Sequence, residues 1–119
     1  MGDTQFPSGI LTFLFSDIQG STPLWEKDPV GMSEALERHN TALRQAIAGH
    51  NGRVFKIIGD EFQVMFTNPE DAVRAAMAGQ HNLANTAWGH IGPLRVRMGI
   101  HTGPAQWEGL DYAVSHTFN

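Results

Sequence analysis

The sequence predicts an α/β domain, an α+β sandwich in which helices cover one face of an open sheet. Two kinds of pattern alternate along its 119 residues. Short apolar runs with strand character lie near residues 10–15, 53–66 and 94–101, and longer stretches with apolar residues at helical spacing separate them. With 41% hydrophobic residues, the chain has enough apolar side chains for one core of ordinary domain size.

The first half is predicted to run strand, short helix, long helix. Residues 10–15 are an apolar, aromatic-rich run, which is typical of a strand buried on both faces, and residues 23–26 begin a short helix. Asp28 followed by Pro29 predicts an N-cap with proline in the first helical position. The glycines of residues 49–52 end the long helix. Its predicted core face is Ala35, Leu36, His39, Ala42, Leu43, Ala46 and Ile47.

A hairpin and a third helix follow. Residues 53–58 and 62–66 are strand-like, and the short connection at Gly59-Asp60 makes them a hairpin. Residues 68–71 cap the next helix. The predicted core face of this helix is Val73, Ala76, Met77, Gln80, Leu83 and Ala84.

The last predicted strand has one apolar and one polar face. Residues 94–101 alternate between the two kinds of side chain. The turn-forming residues 102–104 are predicted to end this strand before a weaker run at residues 105–107. The predicted order is therefore β-α-α-β-β-α-β, with a weak final strand.

Composition excludes several classes of function. The net charge is -4, with 8 Lys and Arg against 12 Asp and Glu, which argues against a nucleic-acid partner. The absence of cysteine excludes disulfides, zinc thiolate sites and thiol catalysis. No apolar run approaches the roughly 20 residues of a membrane span, and no signal peptide pattern opens the chain. We therefore expect a cytoplasmic protein without a membrane segment.

Residues 15–22 and 56–62 each place an aspartate at the edge of a predicted strand. Two carboxylates presented from adjacent strand ends can hold a pair of divalent cations about 4 Å apart, an arrangement that suits phosphoryl transfer. Asp17 and Asp60 are the candidate ligands, and the carbonyl of Ile18 would add a third oxygen. Position alone also allows a helix N-cap or turn at Asp17 and a simple Gly-Asp turn at Asp60.

Two basic residues and one turn are candidates for nucleotide contacts. Lys56 shares a strand face with Asp60, so it either forms an ion pair with Asp60 or contacts a nucleotide base. Arg97 is either a solvated surface charge or a bidentate phosphate contact. A predicted helix start, where backbone N–H groups favour phosphate, lies at Gly20, Ser21 and Thr22. No serine-hydrolase, P-loop or dinucleotide motif is present, and the histidines lack ligand spacing.

Three motifs in order, at residues 15–22, 56–62 and 97–103, resemble the class III adenylate/guanylate cyclase catalytic domain in its bacterial form. The resemblance extends from about Ile10 to Asn119. It implies a ferredoxin-like, palm-type fold of order βααββαβ that works as a head-to-tail homodimer. It also implies conversion of ATP to 3′,5′-cyclic AMP and pyrophosphate at two composite sites.

The resemblance also implies roles for individual residues. Asp17 and Asp60 resemble the aspartates that bind two magnesium or manganese ions. Lys56 resembles the lysine that contacts the purine from the partner chain, where a lysine indicates ATP rather than GTP. Arg97 resembles a phosphate-contacting arginine. Asn119 resembles the asparagine that orients the ribose and helps to stabilise the transition state.

A second base-contacting residue is expected near Asp111. The family's spacing, counted back from Asn119, places this residue at Tyr112. The neighbouring Asp111 has the suitable chemistry and is our candidate. The family's transition-state arginine would follow Asn119, so residues 1–119 are predicted to be one cyclase domain that lacks its C-terminal part and is inactive alone. Two alternatives are a non-catalytic nucleotide-binding or dimerisation module and, from residues 59–62, a diguanylate cyclase.

Overall fold

The computed structural model describes residues 6–114 of the chain. The element order confirms the predicted one. In chain order the elements are β1 (Gly9–Ile18), α1 (Ser21–Lys27), α2 (Pro29–Ala48), β2 (Arg53–Ile58), β3 (Glu61–Phe66), α3 (Pro69–Ala84), β4 (Val96–Trp107) and β5 (Tyr112–Val114), with a short 3-10 turn at Gly89–Ile91 before β4.

The sheet has five strands in the order β2-β3-β1-β4-β5, and every neighbouring pair is antiparallel. β1 lies at the centre, where Ser16 pairs with Phe62 of β3 on one side and with Met98 of β4 on the other. Since side chains alternate between the two faces of a strand, this register fixes which residues share a face.

Both long helices begin as the sequence predicts. The side chain of Asp28 accepts a hydrogen bond from the backbone N–H of Gly31 at 3.0 Å, and Asn68 accepts one from that of Glu70 at 2.8 Å. Each cap precedes a proline at the start of its helix. These side chains satisfy N–H groups that have no partner within the helix.

The main core lies between α2, α3 and one face of the sheet. Its buried members from the strands are Leu14, Ile18, Phe62, Val64 and Phe66, and its largest buried members from α2 are Met32, Leu43 and Ile47. The predicted face of α2 is confirmed for every residue except Leu36, which is only partly buried.

The predicted core face of α3 is wrong at four positions that are exposed: Val73 (47%), Met77 (67%), Gln80 and Ala84. Small residues form the buried face instead, because they bring α3 close to its neighbours. A Cβ atom at Gly79 would lie 3.2 Å from both Leu43 Cδ2 and Met98 Cε. The buried residues of α3 are Ala72, Ala75, Gly79 and Leu83.

The turn predicted at residues 102–104 is also wrong, because β4 continues through it to Trp107. The long β1 supplies a partner along this stretch and so overrides the local turn preference: Pro104 pairs with Ile10. Proline is tolerated at an edge position, and β5 pairs with β4 only over residues 105–107.

The opposite face of the sheet curls around a second, aromatic cluster. Phe55 of β2 and Tyr112 of β5 have ring centroids only 5.0 Å apart, although these strands are the two edges of the sheet. Phe13 of the central strand lies against both rings, at 5.8 Å and 5.1 Å. The register of β2 shifts between Val54 and Lys56, which makes Phe55 the extra residue of a bulge. Bulges increase local twist, and this one lies where β2 approaches β5.

Candidate active site

Asp17 and Asp60 lie at the same end of two adjacent strands. Ser16 pairs with Phe62, so Asp17 comes one residue after this pair on β1 and Asp60 comes two residues before it. Asp60 occupies the tight turn between β2 and β3, where Gly59 has a φ of +60°. Glycine adopts this left-handed conformation without steric cost, so Gly59 allows the turn that brings Asp60 to the same end of the sheet as Asp17.

A bidentate ion pair joins Asp17 to Arg97. These residues lie opposite each other on β1 and β4. Arg97 Nε donates to Asp17 Oδ1 at 2.9 Å, and Arg97 Nη2 donates to Asp17 Oδ2 at 2.8 Å. The hydrogen bonds from Arg97 to Asp17 are the main reason that the pKa of Arg97 is raised. The sequence suggested a phosphate contact or a solvated charge for Arg97, and gave no sign of this pairing.

The pair lies in a cleft of about 290 Å³ on the sheet face away from the helices. The cleft is lined by Phe15, Asp17, Glu61, Gln63, Arg97 and Gly99, among others. Glu61 therefore contributes a second carboxylate to the cleft. Asp60 is not one of the lining residues.

Asp60 lies close enough to His39 of α2 to affect its ionisation. Its charge raises the pKa of His39 in α2, although burial has the larger effect and lowers that pKa overall. His39 is fully buried, and its ring packs edge-on against Phe62 at 5.7 Å. Within residues 6–114, Asp60 makes no hydrogen bond or ion pair. The structure thus brings Asp17 and Asp60 to one end of the sheet without placing them in the same cleft.

Lys56 and Asp111 meet across the curled sheet. Lys56 Nζ donates to Asp111 Oδ2 at 2.6 Å, and this hydrogen bond is the main cause of the lowered pKa of Asp111. Lys56 therefore pairs with Asp111 and not with Asp60, the partner that strand alternation suggested. The neighbouring Tyr112 is held elsewhere, since its hydroxyl donates to the carbonyl of Pro7 at 2.6 Å. Counting back from Asn119 placed the second base-contacting residue at Tyr112. The side chain that contacts Lys56 is instead that of Asp111, the residue chosen for its chemistry.

The remaining candidates lie around the start of α1. Gly20 precedes this helix with a left-handed φ of 66°, and no side chain caps the helix. Ser21 and Thr22 form its first turn, and Ile18 ends β1 with a buried side chain. Asn119 lies outside the described residues. No helix within residues 6–114 is long and apolar enough to cross a membrane.

The sequence profile of the adenylate and guanylate cyclase catalytic domain matches residues 5–112. The chain belongs to this family. It is 34% identical over 102 residues to an uncharacterized protein of Mycobacterium tuberculosis, covering 84% of this chain and 33% of that protein. It is also 34% identical over 82 residues to the adenylate cyclase of Schizosaccharomyces pombe, covering 69% of this chain and 5% of that enzyme.

Solved cyclase structures share the fold of this domain. A monomeric adenylate cyclase structure from Trypanosoma brucei matches with a TM-score of 0.80 at 24% identity, covering 93% of this chain and 65% of that one. This likeness confirms the predicted palm-type fold. The chain spans only about a third of the length of its mycobacterial relatives.

The side chains of this cyclase domain suit a cation that is shared with a substrate. Within the described part of the chain, no group of three or more His, Cys, Asp or Glu side chains is placed to hold a metal ion. Magnesium is usually held by one or two carboxylates together with substrate phosphates, and less often by a cage of protein ligands alone. Asp17 and Asp60, two carboxylates at one end of the sheet, are of the type that the first kind of site uses, but only Asp17 lines the cleft.

Proposed function

We propose that this domain is an adenylate cyclase that converts ATP to 3′,5′-cyclic AMP and pyrophosphate. The family assignment supports nucleotide cyclisation, and the Lys56–Asp111 pair supports ATP as the substrate. This pair places an ammonium that donates beside a carboxylate that accepts. The pairing edge of adenine presents one acceptor, N1, and one donor, N6. The Lys56 ammonium can therefore donate to N1, and the Asp111 carboxylate can accept from N6.

The reaction is an intramolecular displacement, in which the 3′-hydroxyl oxygen attacks the α-phosphorus and pyrophosphate leaves. Asp17, Asp60 and the Ile18 carbonyl would hold two magnesium or manganese ions. When bound, these ions lower the pKa of the hydroxyl and offset the charge of the triphosphate. The chain itself supplies position and charge, and no covalent intermediate with the protein is required.

The other candidate residues would orient the substrate. Lys56 and Asp111 hold the adenine, and the guanidinium of Arg97 contacts phosphate. Asn119 orients the ribose, and further phosphate contacts come from the backbone at Gly20, Ser21 and Thr22. We propose that a second copy of the chain completes each site, so that the base contacts and the metal ligands of one site come from different copies. An ATP-consuming domain of this kind would work in the cytoplasm.

Product analysis of the full-length protein tests this proposal. With Mn²⁺ or Mg²⁺ present, we expect cyclic AMP from ATP and little product from GTP. Asp17→Asn should reduce the rate by at least about 100-fold, because it removes a charged ligand from the reacting centre. Glu34→Gln, on the exposed surface of α2, is the matched control and should keep normal activity.

Other products would point to the alternatives. Cyclic GMP as the main product would overturn the assignment of ATP, and cyclic di-GMP would indicate a diguanylate cyclase. Tight ATP binding by the full-length protein without turnover would indicate the non-catalytic module. A normal rate in Asp17→Asn would remove Asp17 from the catalytic site.

A further inference from the structure

We propose that Arg97 is a displaceable counter-ion of Asp17 that couples cation binding to triphosphate binding. In the closed arrangement, Arg97 holds both carboxylate oxygens of Asp17. In the open arrangement, Asp17 coordinates the cation and Arg97 binds the triphosphate. This inference rests on the proposed function only in that Asp17 is a metal ligand.

The geometry of the closed arrangement is well defined. Two parallel hydrogen bonds of 2.9 Å and 2.8 Å join Arg97 to Asp17, and each uses a different carboxylate oxygen. The two residues face each other directly in the β1–β4 register, so neither side chain has to cross the sheet to reach the other. Asp60, the other candidate ligand, has no such counter-ion within residues 6–114. The contact therefore affects only one of the two aspartates.

Cation binding and the ion pair compete at Asp17. The carboxylate has lone pairs beyond the two that Arg97 uses, but a cation bound through them would lie beside the positive guanidinium. The arginine side chain is 66% exposed and the aspartate side chain is 34% exposed, so water and salt weaken the pair. An exposed ion pair contributes little, which corresponds to a cation affinity reduced by about two- to fivefold. The pair is strong enough to be measured and weak enough to be displaced.

Displacement of the pair makes a phosphate ligand available. A guanidinium released from a carboxylate presents the same planar pair of donors to a phosphate. Arg97 lines the cleft next to Asp17, so the released group stays in that cleft. Because the cation and the triphosphate both favour the open arrangement, each must raise the affinity for the other by the same factor.

Cation affinity measured without nucleotide tests the competition directly. Mn²⁺ binding would be followed by electron paramagnetic resonance in the full-length wild-type protein, in Arg97→Gln and in Arg95→Gln. Arg95 is the matched control, because it is an exposed arginine two residues away whose side chain makes no ion pair within residues 6–114. We expect Arg97→Gln to bind Mn²⁺ about two- to fivefold more tightly than the control variant. Equal or weaker binding would overturn the inference.

The coupling is measured by repeating the titration with a non-cyclisable ATP analogue. The analogue should raise Mn²⁺ affinity more in the wild-type protein than in Arg97→Gln, and equal enhancement in both would refute the coupling. Arg97→Lys keeps the charge but loses the paired geometry, so its Mn²⁺ affinity should lie between those of the wild type and Arg97→Gln. It also serves as the test variant if the glutamine variant does not fold, and wild-type affinity in Arg97→Lys would then refute the inference.

Asp17→Asn separates this inference from the proposed function. If Asp17→Asn leaves Mn²⁺ affinity unchanged, Asp17 is not a metal ligand, and the two-metal proposal fails together with the counter-ion. If Asp17→Asn weakens Mn²⁺ binding while Arg97→Gln matches Arg95→Gln, only the counter-ion role fails.

Discussion

At the scale of single residues, Lys56 sets the ionisation of Asp111. The hydrogen bond from Lys56 lowers the pKa of Asp111 below its ordinary value of 3.8. Lys56→Met should therefore move this pKa back toward 3.8, as measured by carbon-13 NMR titration of the side-chain carboxyl. Lys27→Met, in α1, is the control and should leave Asp111 unaffected. An unchanged Asp111 titration in Lys56→Met would show that the pair does not form in solution.

The same pair gives stability a defined pH dependence. Since the folded pKa of Asp111 is the lower one, its contribution to the free energy of unfolding is present above 3.8 and is lost as pH falls through the folded value. Both side chains are partly exposed, so this contribution is at most about 1 kcal/mol.

Local patterns identified the chemical types of the site residues but not their partners. Asp17, Lys56, Asp60 and Arg97 were candidates because each is a charged residue at a strand end or on a polar strand face. Arg97 lies 80 residues from Asp17, and Asp111 lies 55 residues from Lys56. Such pairings depend on sheet register and curl, which alternation within a single strand does not encode.

At the scale of elements, α3 shows where helical periodicity is insufficient. Val73, Met77 and Leu83 are all apolar, and periodicity alone assigned them to one face. The buried face is set instead by Ala72, Ala75 and Gly79, which are small enough for α3 to approach α2 and the sheet. The hairpin strands β2 and β3 were easier to predict than this face, because a turn and alternation bound them, whereas β4 continues through its predicted turn.

Two alanine substitutions test the face of α3 that is buried. Leu83→Ala should lower the free energy of unfolding by about 2–4 kcal/mol, because it leaves a cavity in the main core. Met77→Ala removes a side chain of similar size from the exposed face, so it should change stability by no more than about 0.5 kcal/mol. Urea unfolding followed by tryptophan fluorescence measures both. Similar losses in the two variants would contradict this orientation of the helix.

At the scale of the whole molecule, the curl of the sheet connects the core to the candidate base site. The aromatic cluster beneath the sheet joins β2 to β5. In the adjoining ion pair, Lys56 follows Phe55 in β2 and Asp111 immediately precedes β5. The sequence predicted the order of elements, and the family resemblance predicted the palm-type fold. Neither β-strand periodicity nor composition indicated that the two edge strands, β2 and β5, would meet. Their contact depends on a bulge at Phe55 and on aromatic rings from four strands.

If the aromatic cluster holds the edges together, then loss of its central ring should release Asp111. Phe55→Ala removes ring contacts to Phe13, Trp107 and Tyr112. It should lower the free energy of unfolding by about 2–4 kcal/mol and return the pKa of Asp111 toward 3.8.

Phe15→Ala is the control for this experiment. Phe15 stacks on Phe13 from the same sheet face but does not join the two edges, so its loss should leave the Asp111 titration unchanged. A lowered Asp111 pKa that persists in Phe55→Ala would mean that the ion pair forms without the curl. In that case the aromatic cluster would stabilise the fold without positioning the residues proposed to contact the base.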